Sequence, residues 1–151
     1  MIELDKFIKI FEGLTSAYGQ TIKTDQFSEK GKHKTKSFTI SNPVTKKLWR
    51  EHLEGKDPAL GIVPINKENK CKWGCIDIDT YPFDHKKFIQ KLKEKNIPMI
   101  VCRSKSGGAH AFLFTKDFVP ATVMRVKLKL IASAMGFASA EIFPKQDYIR
   151  V

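Results

Sequence analysis

Trp73-Gly74-Cys75-Ile76-Asp77-Ile78-Asp79-Thr80 sets two carboxylates into an apolar, β-branched run, a placement that folding alone does not explain. In an extended strand alternate side chains share a face. Asp77 and Asp79 therefore point the same way, with Cα atoms roughly 6.5–7 Å apart, while Ile76 and Ile78 face the core. Two acids so placed can jointly hold hard cations, and paired ions about 3.5–4 Å apart align and stabilise an in-line displacement at phosphorus. The competing reading is a solvated strand end, because aspartate is chiefly a surface residue. The same spacing also serves as a metal site for sugar nucleotides in some glycosyltransferases.

A second segment bears on that choice. Met99-Ile100-Val101-Cys102-Arg103 and Ala109-His110-Ala111-Phe112-Leu113-Phe114 read as strands around the polar turn Ser104-Lys105-Ser106-Gly107-Gly108. Paired glycines allow positive φ and close backbone approach, and successive N–H groups in such a turn can form an anion-binding nest. Arg103, Lys105 and the two serines add charge and hydrogen-bond donors. His110 shares a face with Phe112 and Phe114, from which a ring N–H can reach a phosphate oxygen. The plain alternative is an ordinary Ser-Gly hairpin with a satisfied histidine behind it.

Together the two segments resemble the archaeo-eukaryotic primase superfamily, in which a strand-borne D-h-D motif is followed by a Ser/Gly motif ending in His. The nearer likeness is to the primase-polymerase domains of phages and mobile elements. It is carried by His52-Leu53-Glu54-Gly55, Leu60-Gly61-Ile62-Val63-Pro64-Ile65, Ile76-Asp77-Ile78-Asp79-Thr80-Tyr81, Cys102-Arg103-Ser104-Lys105-Ser106-Gly107-Gly108-Ala109-His110 and Glu141-Ile142-Phe143-Pro144-Lys145-Gln146. It runs from the first helix to residue 147.

The resemblance implies an archaeo-eukaryotic primase-like catalytic core and template-directed nucleotidyl transfer from nucleoside triphosphates in DNA replication. It implies Asp77, Asp79 and Glu141 as catalytic ligands of Mg²⁺ or Mn²⁺. It also implies nucleotide contacts from the segment Arg103 to Gly108 and from His110, with Lys145 and Gln146 suited to triphosphate or template. Expected partners are single-stranded DNA template and primer, with a helicase or a further C-terminal domain. The expected location is the cytoplasm of a bacterial or phage-infected cell. Many superfamily members carry Asp in place of Glu141, so Asp147 stays open as the third acid. Relatives continue past this point, whereas this sequence stops at Tyr148-Ile149-Arg150-Val151. A chain truncated at its C-terminus is therefore one expectation. A nucleotide- or nucleic-acid-binding module, inactive without missing residues or a partner, is the second functional reading, and a metal-dependent nuclease using the same acids is the third.

Local sequence supports Glu141 independently. Ala138-Ser139-Ala140-Glu141-Ile142-Phe143 is a short apolar stretch between Gly136 and Pro144. A carboxylate there is costly to bury unpaired, so it must lie at an exposed edge or be neutralised by a metal or a base.

Lys and Arg number 27 against 16 Asp and Glu, a net charge of +11 that favours a polyanionic partner. Basic residues crowd Lys23 to Lys36 and Lys86 to Lys95. The second run reads as the solvated face of a helix whose buried stripe is Phe88, Ile89 and Leu92. The first is polar and glycine-broken, a loop or hairpin suited to a nucleic-acid backbone. No stretch approaches the roughly 20 apolar residues of a membrane span, and the N-terminal residues lack a secretory pattern. Cys71, Cys75 and Cys102 cannot all pair, and Cys71-x-x-x-Cys75 is a weak zinc signal. Cys75 and Cys102 read as small core residues.

The element order predicts an α+β fold. An opening helix carries Phe7, Ile10, Phe11 and Leu14 on one face; residues 36–40 form a strand; and a helix capped by Thr45 ends at Gly55. Residues 59–65 and 71–80 read as a hairpin joined by Asn66 to Lys70. On the middle helix His52 reads as a packing or hydrogen-bonding residue. Helix 84–95, hairpin 99–114, helix 121–135 and strand 139–143 complete a ferredoxin- or RRM-like β-α-β-β-α-β module. The expected organisation is an N-terminal αβ accessory unit over residues 1–65 and a catalytic module over 66–151, with Asp77, Asp79, His110 and Glu141 on one open sheet face.

Overall fold

Hydrophobic periodicity alternates along the chain between the 3.6-residue repeat of helices and the two-residue repeat of strands. The computed structural model, which describes residues 3–29, 31 and 33–150, follows those switches. It divides into two units, Met1–Val63 and Pro64–Val151.

In the first unit, α1 (Leu4–Ile10) is followed by the antiparallel pair β1 (Tyr18–Phe27) and β2 (His33–Ile40). Helix α2 (Lys46–Leu53) begins where the Thr45 hydroxyl accepts the Leu48 N–H at 3.3 Å, satisfying one of the free donors of a helix start. The Phe7 ring meets Phe11 at 4.9 Å and the edge of Trp49 at 5.9 Å. The basic stretch from Lys23 to Lys36 forms the arms of the β1–β2 hairpin, with a register irregularity between Lys23 and Phe27. Lys30 and Lys32 of this stretch lie outside the described residues. His52 is a hydrogen-bonding residue, its Nδ1 accepting the Leu60 N–H at 3.3 Å.

The expected hairpin of residues 59–65 with 71–80 does not form. The short strand β3 (Ala59–Gly61) pairs instead with β1, in the sheet order β2-β1-β3. A strand has two edges, and both edges of β4 (Lys70–Ile78) are taken within the second unit. The segment before β4 closes on itself, because the Asn66 side-chain oxygen accepts the N–H groups of Glu68 and Lys70, each at 3.0 Å. This Asx-type turn delivers β4 without a preceding partner strand.

The second unit continues with α3 (His85–Glu94), β5 (Met99–Arg103), β6 (Ala109–Pro120), α4 (Ala121–Ala134) and β7 (Glu141–Phe143). Its sheet order is β5-β6-β4-β7, antiparallel at every pairing, the split βαβ arrangement expected from the element order. Asp84 caps α3 by accepting the Lys87 N–H at 3.0 Å. Gly136, at φ +85°, follows the end of α4. One sheet face is the core: Ile76, Ile78, Ala109, Ala111, Leu113 and Ile142 pack with Phe88, Leu92, Met124, Leu128 and Ile131 from the two helices. Gly74 lets α4 approach β4, since a Cβ there would lie 2.6 Å from a Leu128 methyl. Alternation then forces Trp73, Cys75 and Asp77 onto the opposite face.

Candidate active site

Register places the site residues before any side chain is considered. Asp77 stands opposite His110 on β6 and opposite Glu141 on β7, and His110 stands opposite Cys102 on β5. Directly opposed residues of an antiparallel pair share a face, so Glu141, Asp77, His110 and Cys102 form one row across four strands. The adjoining row is Phe143, Cys75, Phe112 and Ile100. The Phe112 ring lies 6.2 Å from His110 and 6.1 Å from Trp73. Cys75 is buried as expected, and its thiol is pushed up to about 12 by burial and by the neighbouring Asp77 charge. Cys102 is not a core residue: it is exposed on β5, the edge strand of the sheet.

Asp77 is the most constrained acid of the row, its side chain only 21% exposed. Burial and the charges of Asp79 and Glu141 hold its carboxyl above the usual carboxylate range, against the opposing pull of His110 and Lys145. Among the described residues its Oδ1 has no hydrogen-bond partner. The His110 Nε2 lies 3.4 Å away, at ion-pair distance without hydrogen-bond geometry. A buried carboxylate oxygen without a hydrogen bond is costly, and a hard cation is one partner that could satisfy it.

The other two acids are engaged differently. Glu141 is exposed at the sheet edge and paired with Lys145 at 2.5 Å, whose ammonium also lies 5.0 Å from the Phe143 ring centroid. Asp147, the alternative third acid, is held at 2.6 Å by Arg125, which also donates to the Pro144 carbonyl at 3.2 Å. Register thus brings Glu141, not Asp147, beside Asp77. Gln146 is partly buried beyond Pro144. The donor set of Asp77 and Asp79 fits a hard divalent cation. Among the described residues, however, no three His, Cys, Asp or Glu side chains are gathered as a ready-made metal site.

The Ser-Gly turn is a closed structure. The Ser104 N–H donates to the Gly108 carbonyl and the Gly107 N–H to the Ser104 carbonyl, each at 3.0 Å. Gly107 has φ +99°, a conformation other residues adopt only under strain. At Gly108 a Cβ would sit 2.1 Å from the Ile78 carbonyl oxygen, so only glycine lets the turn close over the end of β4. His85, the first residue of α3, binds the Gly108 carbonyl at 2.8 Å. A carbonyl only accepts, so His85 Nε2 carries the proton. Arg103 and Lys105 are exposed.

Tyr81 joins the two segments. Its hydroxyl donates to Asp79 Oδ1 at 3.0 Å and lies 2.7 Å from Ser106 Oγ, which is 3.5 Å from Ser104 Oγ. The acidic strand end and the Ser-Gly turn are therefore joined through Tyr81. Sequence reasoning passed over Tyr81 and His85 as site residues. The available signal was proximity, because each sits within a few residues of the acidic strand end, on the segment that must cross the tip of the β5–β6 hairpin.

A family model described as the TOTE conflict system, Archaeo-Eukaryotic Primase domain matches residues 6–151. No curated protein matches the chain. A domain of that class suggests a primase-like nucleotidyltransferase that meets nucleotide and nucleic acid, in keeping with acids, a glycine turn and a histidine set around one sheet end. With the match spanning nearly its whole length, the chain belongs to the archaeo-eukaryotic primase domain family of TOTE conflict systems.

Proposed function

We propose that this chain is a DNA primase-polymerase domain that performs metal-dependent, template-directed nucleotidyl transfer from nucleoside triphosphates in DNA replication. The observation that carries the reading is the Asp77 Oδ1, buried without a hydrogen bond, two residues from an Asp79 that Tyr81 links by hydrogen bonds to the Ser-Gly turn. Asp77 and Asp79 would hold Mg²⁺ or Mn²⁺, with Glu141 as third acid once it leaves Lys145. A divalent cation so held supplies activation of the attacking 3′-hydroxyl and neutralisation of charge at the α-phosphate and leaving pyrophosphate. His110, beside Asp77, would donate to a phosphate oxygen, and Lys145 and Arg103 would bring positive charge to the rim. The Ser104–Gly108 turn positions the β- and γ-phosphates. The basic β1–β2 hairpin contacts the backbone of template and primer, single-stranded DNA being the expected template.

The ion pair between Glu141 and Lys145 favours one second reading. With its third acid occupied, the chain would bind nucleotide or nucleic acid and need further residues or a partner to catalyse. Nucleotide incorporation on a primed and an unprimed single-stranded template, with Mn²⁺ or Mg²⁺ present, separates the two. Wild-type protein incorporates, and Asp77→Ala with Asp79→Ala lowers the rate at least 10³-fold, on the order expected when a metal's charge stabilisation is removed. Incorporation that survives the double substitution contradicts the assignment. Triphosphate binding without incorporation supports the second reading.

A further inference from the structure

The hydrogen bonds around Tyr81 have only one consistent direction. The Asp79 carboxylate accepts, so the single phenolic proton points to Asp79 Oδ1 at 3.0 Å. Ser106, 2.7 Å from the same phenolic oxygen, must then be the donor to Tyr81. Its one proton is thereby used, and Ser106 Oγ faces its other neighbour, Ser104 Oγ at 3.5 Å, as an acceptor. A phosphate oxygen is also an acceptor. Ser106 can donate to a nucleotide only by releasing Tyr81, whereas the bond from Tyr81 to Asp79 can persist.

We propose that Tyr81 is a positioning residue that ties Asp79 to Ser106 in the free protein and hands Ser106 to the phosphate tail of the incoming nucleotide. The proposal rests on the reading of the site given above. Tyr81 has two separable effects. Through Asp79 it orients a metal-ligating carboxylate, the kind of outer support whose loss typically costs 10–100-fold in metal affinity. Through Ser106 it competes with the nucleotide for one hydroxyl proton. The Tyr81 side chain fills no core position, since the residue is 49% exposed, so Tyr81→Phe deletes both bonds and leaves the packing intact.

The two effects predict opposite changes in one variant. By electron paramagnetic resonance titration without nucleotide, Tyr81→Phe binds Mn²⁺ about 10-fold more weakly than wild type. By calorimetry at saturating Mn²⁺, it binds a non-hydrolysable deoxyadenosine triphosphate analogue about threefold more tightly, because Ser106 no longer has a bond to surrender. Ser106→Ala shows the reverse pattern: Mn²⁺ affinity within about twofold of wild type and analogue affinity lowered about threefold or more. A Tyr81→Phe protein with both wild-type affinities overturns the proposal. So does one that binds the analogue more weakly at saturating Mn²⁺, which is what a merely structural role would give. Wild-type protein that binds neither probe overturns the functional reading and this proposal together; wild-type binding with an unaltered Phe variant overturns this proposal alone.

Discussion

At the scale of the residue, the site is held in tension by Asp77. Its carboxyl is held above the usual range by burial and by the charges of Asp79 and Glu141, so without metal the ionised form costs the fold stability. The pKa of the folded state exceeds that of the unfolded chain. The corresponding stability is therefore fully present below the unfolded value and is lost as pH rises through the folded one. In metal-free buffer at neutral pH, Asp77→Asn should raise thermal stability by about 1 kcal/mol, about 2–4 °C in Tm for a chain of this size. Scanning calorimetry from pH 7.5 down to 3.5 should show that advantage closing as wild-type Asp77 protonates. An Asn variant less stable than wild type across that range would contradict the account of Asp77. The acids were legible in the sequence because a carboxylate amid Ile residues contradicts its own neighbourhood. Tyr81 and His85 were not, because a tyrosine and a histidine near a helix start fit their surroundings whether or not they bridge two segments.

Elements transmit the same tension through glycine. Gly74 and Gly108 both stand where a Cβ has no room, but the obstacles differ: methyl and methylene groups of α4 side chains, with the Phe143 carbonyl, at Gly74, and the Ile78 carbonyl at Gly108. Gly74→Ala overpacks the interface of α4 with β4 and should cost about 1–3 kcal/mol, read as a lowered Tm. Gly108→Ala should instead push the Ser-Gly turn off the end of β4 and lower triphosphate affinity at least about 10-fold, on the order of one to two lost charged hydrogen bonds. Circular dichroism would show the secondary structure retained. Unchanged triphosphate affinity in Gly108→Ala would remove the turn from the site. The β-α-β-β-α-β order of the second unit was readable because its strands alternate cleanly and its helices carry caps and buried stripes. The first unit was harder. Strand β2 is exposed almost throughout and β1 along its distal half, so little hydrophobic alternation marks this hairpin, and β1 was not recognised as a strand. The pairing of β3 with β1 rather than β4 follows from edge occupancy, a property of the completed sheet that no local stretch of sequence carries.

Across the whole molecule, the excess of 27 basic over 16 acidic residues fits a protein that works on polyanions. Lys34 and Lys36 stand exposed on β2, and Lys36 lies opposite Ile22 on β1. If both contact phosphates of a single strand, Lys34→Ala with Lys36→Ala should reduce the slope of log affinity against log salt by about 1.4. Fluorescence anisotropy of a labelled single-stranded oligonucleotide over a salt series measures it, and an unchanged slope would remove the hairpin from the interface. No helix among the described residues is long and apolar enough to cross a membrane. The central claim remains local: the buried oxygen of Asp77 awaits a cation that also meets a triphosphate. A crystal of the protein grown with Mn²⁺ and a non-hydrolysable nucleoside triphosphate, measured at the manganese absorption edge, tests it most directly. The account predicts anomalous density against Asp77 and Asp79, with the phosphate tail reaching Ser106 and His110. Manganese bound away from both aspartates, or a nucleotide seated elsewhere on the chain, would contradict it.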